Sequence, residues 1–236
     1  MRPVTRGSIP LINGTPQVFE QYRQARNPLI ARIGDYCSYC EMPCHEGPDV
    51  EHVRPKSGKA GHPDLELVWE NFLLGCCYCN SIKGDQAVDV SQFYWPDRDN
   101  TFRPFRYERD SVPQLALGLP RKNQLRAQRT LKLTGLDREP GHPNLSHRDT
   151  RWIKRREAWG KARRARDRLK KISNQSMREQ IVETATSTGF FSVWMTVFAD
   201  EADMRKRFLK AFQGTSGLGE CFDSNANPIP RPGGAI

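Results

Sequence analysis

The first stretch of the chain with a helical period is residues 16–26, where Val18, Phe19, Tyr22 and Ala25 recur at helical spacing. Asn27 followed by Pro28 then reads as the cap and first position of another helix, leading toward Cys37. The periodic pattern lapses from Gly58 to Pro63, a predicted loop, and Leu65 to Trp69 introduces a strand or a short helix before one. Phe102 to Tyr107 predicts a further strand element, with a turn region from Pro113 to Pro120. After that the helical period dominates. Helices are expected over 121–134, 147–172, 175–187 and 198–213, the last with Phe198, Ala202, Arg205, Leu209 and Phe212 in register. Within 147–172, Trp152, Trp159, Ala162, Ala165, Leu169 and Ile172 mark a stripe expected to pack inward. From Gly214 to Ile236, Gly, Pro, Asn and Ser dominate, so a loosely held tail is expected. No internal repeat is visible.

At 236 residues the chain is long enough to bury a core, as one elaborated domain or two small ones. No apolar run approaches the length that spans a bilayer, and Met1-Arg2-Pro3-Val4-Thr5-Arg6 lacks the apolar stretch of a secretory leader. The expected compartment is therefore the cytoplasm. The net charge of +10 is concentrated: residues 151–171 carry eleven Lys or Arg against Glu157 and Asp167, a net of +9. So dense a cationic helix is suited to a phosphate backbone, without base specificity, and Arg155, Arg163, Arg164, Arg166 and Lys170 are candidate contacts. The alternative is a solvated face or a docking surface for an acidic partner. Self-repulsion on one face favours an anionic ligand.

Cysteines add chemistry. Cys37-Ser-Tyr-Cys40 and Cys76-Cys-Tyr-Cys79 are two CxxC pairs, and each can place two thiolates at the corners of a zinc tetrahedron. The 35 residues between the pairs exceed the spacer of a zinc ribbon, so the metal would clasp the ends of an inserted segment. Disulfides fit less well with an odd total of seven cysteines and a chain of this length. Cys77 and Cys44 (beside His45) stay open as substitute ligands, and Cys221 reads as an ordinary thiol. His62 and His142 each precede a Pro near Gly and read as loop residues; His147 also lacks a comparable setting.

The clasped segment holds Val50-Glu51-His52-Val53-Arg54-Pro55-Lys56-Ser57, then Trp69-Glu70-Asn71-Phe72-Leu73-Leu74, then Cys76-x-x-Cys79-Asn80-Ser81-Ile82-Lys83-Gly84. This order resembles the HNH endonuclease motif in its His-Asn-Asn form, over roughly residues 30–100. Phe93-Tyr94-Trp95-Pro96-Asp97-Arg98-Asp99-Asn100 and the Gly214-Thr215 to Cys221-Phe222-Asp223 tail resemble, more loosely, PtuB-type HNH proteins of Septu or retron anti-phage systems, which work beside an ATPase partner.

The resemblance implies an α+β, mostly helical fold: a ββα-metal centre with structural zinc, flanked by N-terminal and C-terminal helices. With the periodicity and charge read above, the expected division is a helical flank at 1–30, the nuclease domain at 31–110, a helical basic region at 111–213 and the loose tail at 214–236. By position His52 would be the general base, since imidazole titrates near neutrality. Glu51 and Asn80 would hold Mg²⁺ or Mn²⁺ through hard oxygen ligands. Asn71, in the hairpin's second strand, would position His52 through its backbone. Lys83, one turn beyond Asn80, is placed to meet a phosphate, with Arg54 and Lys56 as further candidates. The final Asn stands where many members have His, a frequent substitution. A non-catalytic, zinc-stapled module that binds nucleic acid or a partner is the competing class. Such a module needs only the zinc, whereas a nuclease needs a second, exchangeable divalent site. DNA and RNA remain equally open as substrates.

Overall fold

The computed structural model describes residues 1–109 and 112–236, so the boundary expected between 110 and 111 lies outside the described residues. Among them are seven α-helices and three two-stranded antiparallel sheets. A small hairpin, β1 (Leu11–Ile12) with β2 (Thr15–Pro16), precedes α1 (Arg26–Ile33). The central hairpin pairs β3 (Asp49–His52) with β4 (Phe72–Gly75) and runs into α2 (Cys77–Lys83). β5 (Phe105–Arg106) pairs with β6 (Gln114–Leu115). Then come α3 (Arg121–Leu133), α4 (Arg151–Lys171), α5 (Gln175–Thr188), α6 (Phe191–Val197) and α7 (Ala202–Ala211). The fold is mostly helical around a ββα centre, as expected.

The central hairpin is in register Glu51 to Leu73 and His52 to Phe72. β4 is buried along its whole length, which its unbroken Phe-Leu-Leu run explains better than a one-faced strand would. Gly84, with φ of 50°, ends α2 by donating its N–H to the Asn80 carbonyl. Two details upstream depart from expectation. Asn27 does not cap α1, which begins one residue earlier after a 3₁₀ turn at Tyr22–Ala25. Asn71 closes the 3₁₀ turn Trp69–Asn71, one residue short of β4.

Helices α4 and α6 pack together, as do α5 and α7. α6 is buried at six of its seven positions and carries no polar face, so it has no amphipathic period to detect. It starts where Gly189 and Phe190, both at positive φ, turn the chain; a Cβ on Gly189 would lie 2.7 Å from the Glu41 carbonyl oxygen. Phe190 N–H donates to that same carbonyl, and the Glu41 carboxylate accepts from Ser192 N–H and Oγ–H. The loop of the first cysteine pair thereby caps α6.

The stripe that α4 turns inward is Arg151, Arg155, Ala158, Ala162, Ala165 and Leu169. This corrects the sequence expectation. Trp152 and Trp159 are only half-buried and Ile172 is 54% exposed, because alanines spaced at 3 and 4 residues let the bulky α6 approach closely while two arginines complete the same face.

Residues 214–236 are not a loose tail. Cys221, Phe222 and Ala226 are wholly buried, and Phe222 packs with Phe102 and Phe191 at ring separations of 5.8 and 6.3 Å. The irregular backbone is held by side chains instead of a ladder: Asn100 Nδ2 donates to the carbonyls of Cys221 (2.6 Å) and Ile229 (2.7 Å), and Asp99 accepts from Ala235 N–H. The segment 93–100 and the C-terminal segment thus form one packed unit. Replacing Asn100 with Ala leaves two carbonyls short of a donor and should cost about 1–3 kcal/mol, read by denaturant unfolding. Asn225→Ala, at an exposed position, should be near neutral; equal effects would refute the pinning role.

Candidate functional site

Two turns bring four sulfurs together. Cys37, Cys40, Cys76 and Cys79 are all buried, and their Sγ atoms lie within 4.8 Å of one another. Cys40 and Cys76 are 3.7 Å apart, against about 3.8 Å for the edge of a tetrahedron with Zn–S near 2.3 Å. Each pair folds as a tight turn in which an N–H donates back to a sulfur, Cys40 to Cys37 and Cys79 to Cys76. Ser38 joins the first turn to the hairpin through its N–H to the Leu74 carbonyl at 2.8 Å. The cluster could hold a metal ion, and its four soft ligands at this spacing fit zinc. The open alternatives close: Cys77 is exposed, and Cys44 lies outside the cluster, donating to the Met42 carbonyl.

The clasped segment presents a cleft of about 440 Å³ lined by Tyr22, Glu51, His52, Lys56, Asn80 and Lys83. His52, 8% exposed, stands between the edges of Tyr22 and Phe72, at ring separations of 5.0 and 5.2 Å. Its Nε2 is 3.0 Å from the Glu66 carbonyl oxygen. A carbonyl only accepts, so Nε2 carries the proton and Nδ1 keeps the lone pair. Burial pushes the imidazole below its usual titration range, with Lys56 and Lys83 adding to the effect and the Glu66 bond opposing it. The neutral form is favoured.

Asn71 holds the chain on both sides of that ring. Its Oδ1 accepts from Arg54 N–H (2.8 Å), its Nδ2 donates to the carbonyls of Arg54 (3.0 Å) and Leu65 (3.2 Å), and its own carbonyl accepts from Val53 N–H. The segment leaving His52 and the one supplying Glu66 are thus fastened to one amide.

Glu51 and Asn80 converge at Gly75. A Cβ there would stand 3.3 Å from Glu51 Cβ and Cγ and 3.5 Å from Asn80 Cβ, close enough to shift the Glu51 side chain by a few tenths of an ångström. Asn80 is half-buried, and its side chain has no hydrogen-bond partner among the described residues. Glu51 is 2% exposed; its Oε1 pairs with Lys83 Nζ at 2.6 Å and its Oε2 accepts from Tyr39 O–H. Burial pushes the Glu51 carboxyl upward, opposed by Lys83 and Tyr39.

Lys83 does not fit the expected phosphate contact. It is 1% exposed, and its ammonium is committed to Glu51 and to the His52 carbonyl at 2.6 Å. Lys56 lines the cleft but is held by Glu66 (2.7 Å) and the Tyr22 ring (3.9 Å); Arg54 is exposed. Of the candidates on α4, Arg163, Arg164 and Lys170 are exposed, and Arg166 pairs with Asp200. Arg155 is 4% exposed and cannot reach a phosphate, because it lies on the inward stripe. Tyr39, Tyr22 and Glu66 were missed: no spacing rule distinguishes a tyrosine that supports a carboxylate from one that fills a core.

The HNH endonuclease family model matches residues 37–86, which span both cysteine pairs, the hairpin and α2. The chain carries an HNH endonuclease domain. A curated relative, the "Retron Vc95 putative HNH endonuclease" of Vibrio cholerae serotype O1 biovar El Tor, is 26% identical over 117 residues. That match covers 48% of this chain and 57% of the relative, so the chain spans little more than half of that protein's length. No helix among the described residues is long and apolar enough to cross a membrane.

Because structural metal contributes directly to folding, Cys79→Ser should lower bound zinc and melting temperature together, while Cys44→Ser and Cys77→Ser should leave both near wild type. Metal analysis of the purified variants alongside thermal melting checks this. Full zinc occupancy in Cys79→Ser would remove it from the ligand set.

Proposed function

We propose that the protein is a metal-dependent HNH endonuclease hydrolysing phosphodiester bonds in DNA or RNA. The observation that carries this reading is the commitment of His52 Nε2 to the Glu66 carbonyl, which leaves Nδ1 as a base in a cleft shared with Glu51 and Asn80. Nδ1 takes the proton of the attacking water, and Tyr22 and Phe72 fix the plane of the ring. The Glu51 and Asn80 oxygens form a hard donor set suited to Mg²⁺ or Mn²⁺, with the Asn80 side chain lacking a partner among the described residues and each Glu51 oxygen retaining a lone pair. A divalent ion bound there supplies charge stabilisation at the phosphate and the leaving oxygen. Lys83 positions Glu51 and the His52 backbone and does not touch substrate. Asn71 does the same for the segments around the ring. The four cysteines hold structural zinc.

Exposed Arg163, Arg164 and Lys170 on α4, with Arg54 near the cleft, supply sequence-independent attraction to the backbone. The resemblance to the retron-encoded relative, and to PtuB-type proteins in the 93–100 and C-terminal segments, supports a role as the nuclease effector of a bacterial anti-phage system acting with an ATPase partner in the cytoplasm.

His52→Ala should preserve zinc content, fold and nucleic-acid binding while lowering cleavage by at least ~10²-fold, as deletion of a general base does. The assay incubates both proteins with plasmid, single-stranded DNA and tRNA in Mg²⁺ or Mn²⁺, with and without the ATPase partner. Equal cleavage by the two proteins would exclude His52 as the base, and no cleavage under any condition would favour the non-catalytic module. Separately, Arg163→Glu with Arg164→Glu should weaken nucleic-acid binding and flatten its salt dependence. An unchanged salt slope with loss of a protein partner would instead make α4 a docking surface.

A further inference from the structure

The four-sulfur cluster is bounded on one side by α4. Arg151, first residue of that helix and 3% exposed, directs Nη1 at Cys79 Sγ from 3.0 Å. Every part of its guanidinium is fixed. Nη1 also donates to the Thr134 carbonyl (2.8 Å), Nη2 donates to the Gly135 carbonyl (3.0 Å), and Nε and Nη2 form a fork on the Asp149 carboxylate at 2.9 and 2.6 Å. Asp149 is itself 5% exposed. One turn later Arg155 is almost as buried, makes no ion pair among the described residues and lies 5.8 Å from the Phe190 ring. One guanidinium on α4 therefore bonds a sulfur of the second cysteine pair, and a second lies one turn along the same buried face.

Burying a permanent cation against neutral thiols gains little, and buried charge is ordinarily paired. Four thiolates around a divalent ion leave two negative charges in the interior, and hydrogen bonds to the sulfurs are the usual means of stabilising such a site. We infer that Arg151, oriented by Asp149, donates to the zinc-bound Cys79 thiolate and fastens the start of α4 to the nuclease domain through the metal site. The cationic helix is then held at its first residue by one of its own arginines, while Arg163, Arg164 and Lys170 are exposed. The inference requires metal at the four cysteines and is independent of whether His52 catalyses hydrolysis.

The test uses the full chain with zinc or with Co²⁺ in its place. Arg151→Met should weaken metal retention by about 10- to 100-fold in a chelator challenge and shift the thiolate-to-cobalt charge-transfer band, while the visible bands stay tetrahedral. Arg151→Lys should be intermediate. Arg205→Met removes a buried arginine from α7, where its bonds go to Ala199 and Asn227, and should leave the cobalt band in place even if it lowers melting. A wild-type band and release rate in Arg151→Met would overturn the inference. Should that variant fail to fold, Asp149→Asn decides by the same two readouts, since it frees the guanidinium without emptying its site. Hydrogen exchange completes the test: metal removal should deprotect the first turns of α4, and unchanged protection there would contradict the fastening.

Discussion

The convergence of two distant CxxC turns on one buried point is the constraint on which the cleft around His52 depends. Neither the four-residue strands β3 and β4 nor the seven-residue α2 would be stable in isolation. The clasp shortens the conformational search by tying residues 37–40 to 76–79, and the hairpin then packs against α1 and α2. Because Cys76 and Cys79 open α2, the metal site also fixes where Asn80 stands. The same turns reach outward: Glu41, beside Cys40, caps α6, and Arg151 reaches Cys79.

Within the cleft, buried polar groups are satisfied one by one. Tyr39 and Lys83 hold Glu51, Lys83 and Asn71 hold the main chain at and beyond His52, and Glu66 orients its ring. In a low-dielectric setting such a network is rigid because any released member is left unpaired at a cost of about 1–3 kcal/mol. The one side chain at the centre without a partner among the described residues is Asn80, and it borders the carboxylate. That open amide oxygen beside an acid is the pair to which the proposed divalent ion would bind.

What was legible in the sequence was local. The cysteine pairs follow from spacing, because a two-residue gap folds as one tight turn, whereas Glu51, His52 and Asn80 were marked by the HNH resemblance. Long-range burial was not legible. Charge counting over 151–171 made Arg155 a candidate phosphate contact, but its phase on α4 points it inward; of the expected stripe Ala162, Ala165 and Leu169 are buried, while Trp152, Trp159 and Ile172 stand off that face. Lys83 was read as a free cation since nothing in its neighbourhood along the chain reveals Glu51 across the hairpin. α6 has no polar face, and the order of residues 214–236 comes from Asp99 and Asn100, more than a hundred residues upstream.

The central claim is that the HNH domain is a functioning metal site and not a retained scaffold, and a second metal distinguishes the two. Zinc-loaded protein titrated with Mn²⁺ and followed by electron paramagnetic resonance should bind one exchangeable ion per chain, with zinc undisturbed, and Asn80→Ala should weaken or abolish that binding. Absence of any Mn²⁺ site in the wild-type protein, or binding indifferent to Asn80, would contradict the account.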